Sequence, residues 1–158
     1  MVDPYRIGRA LNTPMHQVTE FVYIGNRSAL GDQKLLKNEG ICRILQLLDF
    51  QINPEPEYEF FYILMNDSEQ QNLGNVLPLA LRFIHQAVVN RKKILVHCNA
   101  GVSRSGSVVI AYLMAVLRIS FNQALAAVQD KRACVDPNPG FAEFLAKVDL
   151  DQLRNMID

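Results

Sequence analysis

Ten residues between two apolar runs constrain this chain more than anything else in it: His97-Cys98-Asn99-Ala100-Gly101-Val102-Ser103-Arg104-Ser105-Gly106. Before them, Ile94-Leu95-Val96-His97 reads as a short buried strand. After them, Val108 to Leu117 is apolar on every side and reads as a buried helix. A strand that feeds a helix through a tight turn aims the helix's free backbone N–H groups, and its positive dipole end, back at the turn. Such a turn binds an oxyanion. Gly101 admits torsions that a side chain opposes, so successive N–H groups can converge into a nest.

Two side chains give that nest a chemistry. Cys98 stands at its entrance. An ordinary thiol, with a pKa near ~8.5, is only a few per cent thiolate at neutral pH. A helix N-terminus and a nearby guanidinium are the setting in which cysteines ionise more readily. Full ionisation multiplies the nucleophile by about thirtyfold at most. Further acceleration has to come from positioning and charge stabilisation. Arg104 supplies a planar fork that holds two equatorial oxygens of a phosphoryl group, which a lysine does not imitate. Asn99, Ala100, Gly101, Val102 and Ser103 are enough chain to wrap one phosphate between them. Cys42 and Cys134 have no such setting and read as structural thiols. His16 and His85 read as surface or helix-face residues.

The rest of the chain alternates strands and helices. Glu20 to Ile24 reads as a strand, and Ser28 to Asn38 as one short helix that Gly40 stops. Ile41 to Leu48, apolar on both faces apart from Arg43 and Gln46, suits a central strand. Pro54 and Pro56 make a loop, and Phe60 to Met65 is another strand that ends at Asn66-Asp67-Ser68. Leu77, Leu81, Ile84 and Val88 lie at helical spacing over 75–89, with Pro78 read into the first turn. Ser120 to Gln123 matches a capping box, and Asn138-Pro139 opens the last predicted helix. Residues 1–17 carry little periodic signal and read as a loosely attached arm ahead of a catalytic domain over 18–158. The expected fold is α/β: a central, mostly parallel but mixed sheet of about five strands, with helices on both faces.

The loop resembles the signature of the protein tyrosine phosphatase superfamily: His-Cys, five residues, Arg, then Ser or Thr. The fuller string resembles the dual-specificity branch, in its small atypical form without a kinase-docking domain. Tyr23-Ile24-Gly25, Asp67 followed by Leu73, Ala111 to Met114, and Pro137 to Phe141 extend the likeness from about residue 18 to the end. The resemblance implies a two-step mechanism. Cys98 attacks phosphorus to form a cysteinyl-phosphate, and an aspartic acid protonates the leaving oxygen and then activates water. Asp67 matches that acid, and Asp49 is the weaker rival; Asp67 also suits an ordinary turn. Ser105 matches the hydroxyl that bonds the cysteine sulfur, and His97 a histidine that supports the loop from behind. Asn138 matches an asparagine that braces the loop in some relatives, while helix capping is its plainer role. Gly106 departs from the Ala or Pro common in the family.

Composition sets outer limits. The 158 residues are 49% hydrophobic, with 16 basic and 16 acidic side chains and no net charge. One domain with a core fits this length, and the neutral balance points away from nucleic acid as a partner. Three cysteines suit a reducing compartment, the cytoplasm with the nucleus as a second location. Val2 stands where myristoylation needs glycine, and the longest apolar run is too short to span a bilayer. No second Cys/His pair has zinc spacing, so neither metal nor cofactor is expected. Phosphorylated protein is the expected substrate. A non-protein phosphate, such as a phosphoinositide, glucan or RNA 5′ end, is the alternative, though the loop interior lacks the charges that such head groups favour. A non-catalytic phosphopeptide binder is third, since such proteins usually lack the cysteine or the arginine.

Overall fold

The computed structural model describes residues 3–158. Five strands form one sheet in the order β1-β2-β5-β3-β4. They are β1 (Met15–Gln17), β2 (Val22–Gly25), β3 (Ile41–Leu48), β4 (Glu59–Leu64) and β5 (Lys93–His97). Only β1 runs antiparallel, against β2, and every other pair is parallel. Among the described residues eight helices surround the sheet: α1 (Pro4–Asn12), α2 (Arg27–Gly31), α3 (Gln33–Glu39), α4 (Leu73–Val89), α5 (Arg104–Leu117), α6 (Phe121–Lys131), α7 (Pro139–Lys147) and α8 (Leu150–Asn155).

Alternation along the strands divides the core. Ile24, Leu45, Leu47 and Val96 face a large cluster with α4 and α5, whereas Tyr23, Ile44 and Leu95 face a smaller one with Leu30 and Leu36 of α2 and α3. β5 is therefore covered on both faces and flanked by β2 and β3, and its carboxyl end opens at the centre of the sheet. Loops at the carboxyl ends of parallel strands are where α/β proteins bind ligands. Helix α5 continues from that loop and is buried from Arg104 to Ala115, which anchors the loop's far end.

The expected arm is built into the fold instead. Asp3 caps α1 by accepting from the Tyr5 N–H, Ala10 packs on Ala133 and Cys134, and His16 pairs with Ile24 across the β1–β2 ladder. Met1 and Val2 of that arm lie outside the described residues. The single helix expected over 28–38 is two, because Asp32 serves both: its N–H bonds the Ala29 carbonyl to close α2, and its carboxylate accepts from Leu35 N to open α3. Helix α4 begins at Leu73, where Asn72 accepts from the Asn75 N–H. Pro78 thus falls in the second turn, and lacks the N–H that would bond the Gly74 carbonyl. Helix α7 is not the last, since α8 follows with Leu153 fully buried.

Candidate active site

The loop after β5 is held by its carbonyls. His97 Nδ1 lies 3.1 Å from the Cys98 carbonyl. The Arg27 N–H donates to Asn99 O at 2.9 Å and the Asp136 N–H to Val102 O at 3.0 Å. Arg132 donates to Ala100 O at 3.0 Å and to Gly101 O at 2.9 Å. Ser107 closes the series by donating from N and Oγ to Ser103 O. With every carbonyl from Cys98 to Ser103 turned outward, the N–H groups turn the other way. Among the described residues, none of the backbone N–H groups from Asn99 to Ser105 donates to a protein acceptor. Gly101 is indispensable to this path. Its φ is +68°, and a Cβ there would stand 2.7 Å from the Gly25 carbonyl and 2.8 Å from Arg132 Nη2. Gly106 is small for a packing reason, since a Cβ there would meet Val135 Cγ1 at 2.8 Å.

Cys98 lies at the floor of this cup, 2% exposed, with its sulfur 3.1 Å from Ser105 Oγ. Arg104 opens α5 and is itself 8% exposed. Its Nη1 donates to the Met65 carbonyl at 3.0 Å and lies 3.6 Å from the Asp49 carboxylate. Among the described residues, its Nε and Nη2 donate to no protein acceptor. One edge of the guanidinium is thus anchored, and the other is left for a bidentate ligand.

His97 is completely buried behind the loop. Gln46, its register partner on β3, exchanges two 2.8 Å hydrogen bonds with the Ile52 backbone and places Nε2 3.1 Å from His97 Nε2. Gln46 donates there, so His97 Nε2 accepts, Nδ1 carries the proton, and Nδ1–H donates to Cys98 O. Burial is the main cause that lowers the His97 pKa from 6.5 to about 4, with Arg104 acting the same way against the Cys98 carbonyl. The imidazole is thus neutral at physiological pH. Well above pH 6.5 neither folded nor unfolded chain protonates it. As the pH falls from 6.5 to 4 the unfolded chain takes up a proton that the folded protein refuses, which costs about 3 kcal/mol of stability. The urea midpoints of wild-type protein and a His97→Gln variant should therefore draw together over that interval. Parallel curves would remove this linkage from His97.

Asp67 lies past β4, exposed, and its Oδ1 accepts from Asn138 Nδ2 at 3.0 Å. Asn138 does three things at once. Its Oδ1 caps α7 at Phe141 N, its amide ties Asp67, and its backbone N–H donates to Ser103 Oγ at 2.9 Å. The acidic loop and the phosphate loop are thereby linked through one residue. Asp49 faces Arg104, with Oδ1 3.6 Å from Nη1. Cys42 is half-buried against the Lys93 carbonyl, and Cys134 is buried with its thiol facing Gly101 O. His85 bonds the Tyr112 hydroxyl.

Two residues behind the loop escape a reading of the chain. Gln46 did leave a signal, as a polar residue in an otherwise apolar central strand. Arg132 left none, because nothing near it in sequence marks a buried guanidinium. His16 is a related correction: instead of a surface histidine it is half-buried on β1, with Nδ1 accepting from Arg132 at 2.9 Å.

Residues 22–149 match the family model described as dual specificity phosphatase, catalytic domain. The chain is 35% identical over 140 residues to dual specificity protein phosphatase 22-B of Danio rerio, covering 89% of this chain and 76% of that protein. It is 33% identical over 150 residues to the serine/threonine/tyrosine-interacting protein of Mus musculus, covering 90% and 67%. A crystal structure of DUSP15 superimposes with a TM-score of 0.83 at 27% identity, covering 90% of this chain and 93% of that one. With the strand–loop–helix cup, its floor cysteine and its anchored arginine, these likenesses place the chain in the dual specificity phosphatase catalytic-domain family.

Proposed function

We propose that the protein hydrolyses phosphate monoesters on tyrosine, serine and threonine side chains of proteins, through a cysteinyl-phosphate at Cys98. The observation that carries this reading is the cup itself. Among the described residues its backbone N–H groups from Asn99 to Ser105 have no protein acceptor, and the Cys98 sulfur and the unanchored edge of Arg104 belong to the same short loop. Three phosphoryl oxygens match such a donor set.

In the first step the Cys98 thiolate bonds to phosphorus as the P–O bond to the side chain breaks, and Asp67 gives its proton to the departing oxygen. The bond from Asn138 occupies Asp67 Oδ1 and leaves Oδ2 to carry that proton. In the second step Asp67, now a carboxylate, takes a proton from water as the water oxygen bonds to phosphorus. The P–S bond breaks, and the Ser105 hydroxyl donates to the departing sulfur. Neutral His97 supports the Cys98 carbonyl and moves no proton.

Leaving-group chemistry tests the acid. Asp67→Asn should slow a phosphopeptide by about 10²- to 10⁴-fold and an activated aryl phosphate far less, because that leaving group departs without a proton. Equal slowing of both would remove Asp67 from the acid role. A panel of phosphopeptides and phosphoinositides tests the substrate class, and preference for the lipid head groups would overturn the protein reading. The presence of both Cys98 and Arg104 supports catalysis over mere binding. The unpaired cysteines support a reducing location, cytoplasm or nucleus, and the zero net charge favours a protein partner over nucleic acid. Among the described residues no helix is long and apolar enough to cross a membrane.

A further inference from the structure

Arg132 follows α6 and is completely buried. Its guanidinium lies behind the phosphate loop, on the side opposite the converging N–H groups. Nε donates to Gly101 O at 2.9 Å and Nη2 to Ala100 O at 3.0 Å. Nη1 donates to Thr13 O at 2.8 Å and to His16 Nδ1 at 2.9 Å. Every partner is neutral. Among the described residues no Asp or Glu carboxylate lies within 4.0 Å of it, although eight other ion pairs form in the molecule.

A buried cation without a counter-ion is strongly disfavoured. Burial accordingly lowers the Arg132 pKa from its usual value, and the opposing causes are two thiols, Cys134 and Cys98, with no carboxylate among them. The anionic chemistry within reach is therefore that of the loop: the cysteine thiolate and whatever oxyanion the cup holds. The hydrogen bonds also act through the peptide units. Ala100 O shares its peptide with the Gly101 N–H, and Gly101 O shares its peptide with the Val102 N–H. A charged donor on each oxygen polarises the N–H at the other end, and hydrogen bonds in series reinforce one another.

We propose that Arg132 is a positioning residue for the reaction: its unpaired buried charge polarises the 100–101 and 101–102 peptides toward the bound oxyanion, which with Cys98 serves as its counter-charge. Its bonds to Thr13 and His16 fix the guanidinium in this orientation, so that the β1 segment forms part of the mount for the phosphate loop. This inference rests on the phosphate-loop reading above.

The test separates charge from packing. In Arg132→Gln the amide still offers donors but no charge, whereas Arg132→Lys keeps the charge and gives up the fork. With an aryl phosphate as substrate and inorganic phosphate as competitive inhibitor, Arg132→Gln should weaken phosphate inhibition and lower kcat by about tenfold each. Arg132→Lys should recover most of both. A purely structural role predicts that both variants melt earlier while the folded enzyme keeps its wild-type phosphate inhibition constant, and that result overturns the proposal. Should both variants fail to fold, the wild-type protein decides. The Arg132 Nε–H resonance, shielded by burial, should shift as inorganic phosphate is added, and a resonance that stays fixed while the Gly101 and Val102 amides move overturns the proposal. If phosphate does not inhibit the wild-type enzyme competitively, it is the loop reading that fails.

Discussion

Replacing Cys98 by serine should lower turnover of an aryl phosphate by roughly 10⁴- to 10⁶-fold, the scale seen when a covalent nucleophile is removed, while inorganic phosphate still binds. The two halves of this expectation have separate causes. In the proposed mechanism turnover needs sulfur as the nucleophile at the cup floor, and a serine hydroxyl in the same place is a far weaker one. Binding depends on the inward N–H groups and on Arg104. None of the bonds that turn the loop carbonyls outward involves the sulfur, whose one hydrogen-bond partner among the described residues is Ser105 Oγ. Steady-state kinetics read the first half and calorimetry with phosphate the second. Substantial residual turnover would overturn Cys98 as the nucleophile. The same variant should bind phosphorylated proteins without hydrolysing them, which gives a route to the physiological substrate.

The parts of the molecule that were legible in its sequence share a cause. The loop from His97 to Gly106, the buried strand before it and the buried helix after it are contiguous, and local chain direction alone aims the helix N-terminus at the loop. The mostly parallel sheet followed similarly from alternating apolar runs. What was not legible depends on pairing across long separations. Residues 15–17 have almost no strand signal of their own, and they become β1 because the edge of β2 offers them a ladder. The break between α2 and α3 turns on Asp32, whose double capping role is decided by how both short helices pack on the sheet. Arg132 reads as one more charged residue at the end of a surface helix until the fold brings Thr13, Ala100 and Gly101 around it. Asn138 was half legible: its cap is local, whereas its bonds to Ser103 and Asp67 span the domain.

Arg104→Lys should reduce kcat/KM by about 10³-fold or more, near the value of a transition-state arginine in phosphoryl transfer, even though the charge is unchanged. The reason is a division of labour within one planar group. Nη1 is committed to the Met65 carbonyl at 3.0 Å, with Asp49 3.6 Å away, and among the described residues the opposite edge, Nε and Nη2, donates to no protein acceptor. A lysine offers a single ammonium on a flexible stem. It can reach the Met65 carbonyl or approach the phosphate, but not hold the first while forking two oxygens of the second. The pattern of loss distinguishes this residue from its neighbours. Unlike Asp67→Asn, the lysine variant should slow phosphopeptide and aryl phosphate alike, since the equatorial oxygens carry charge whatever the leaving group. Unlike Cys98→Ser, it should lose affinity for inorganic phosphate along with turnover. Activity within tenfold of wild type would show that charge alone suffices at this position, and would leave the fork geometry without a function.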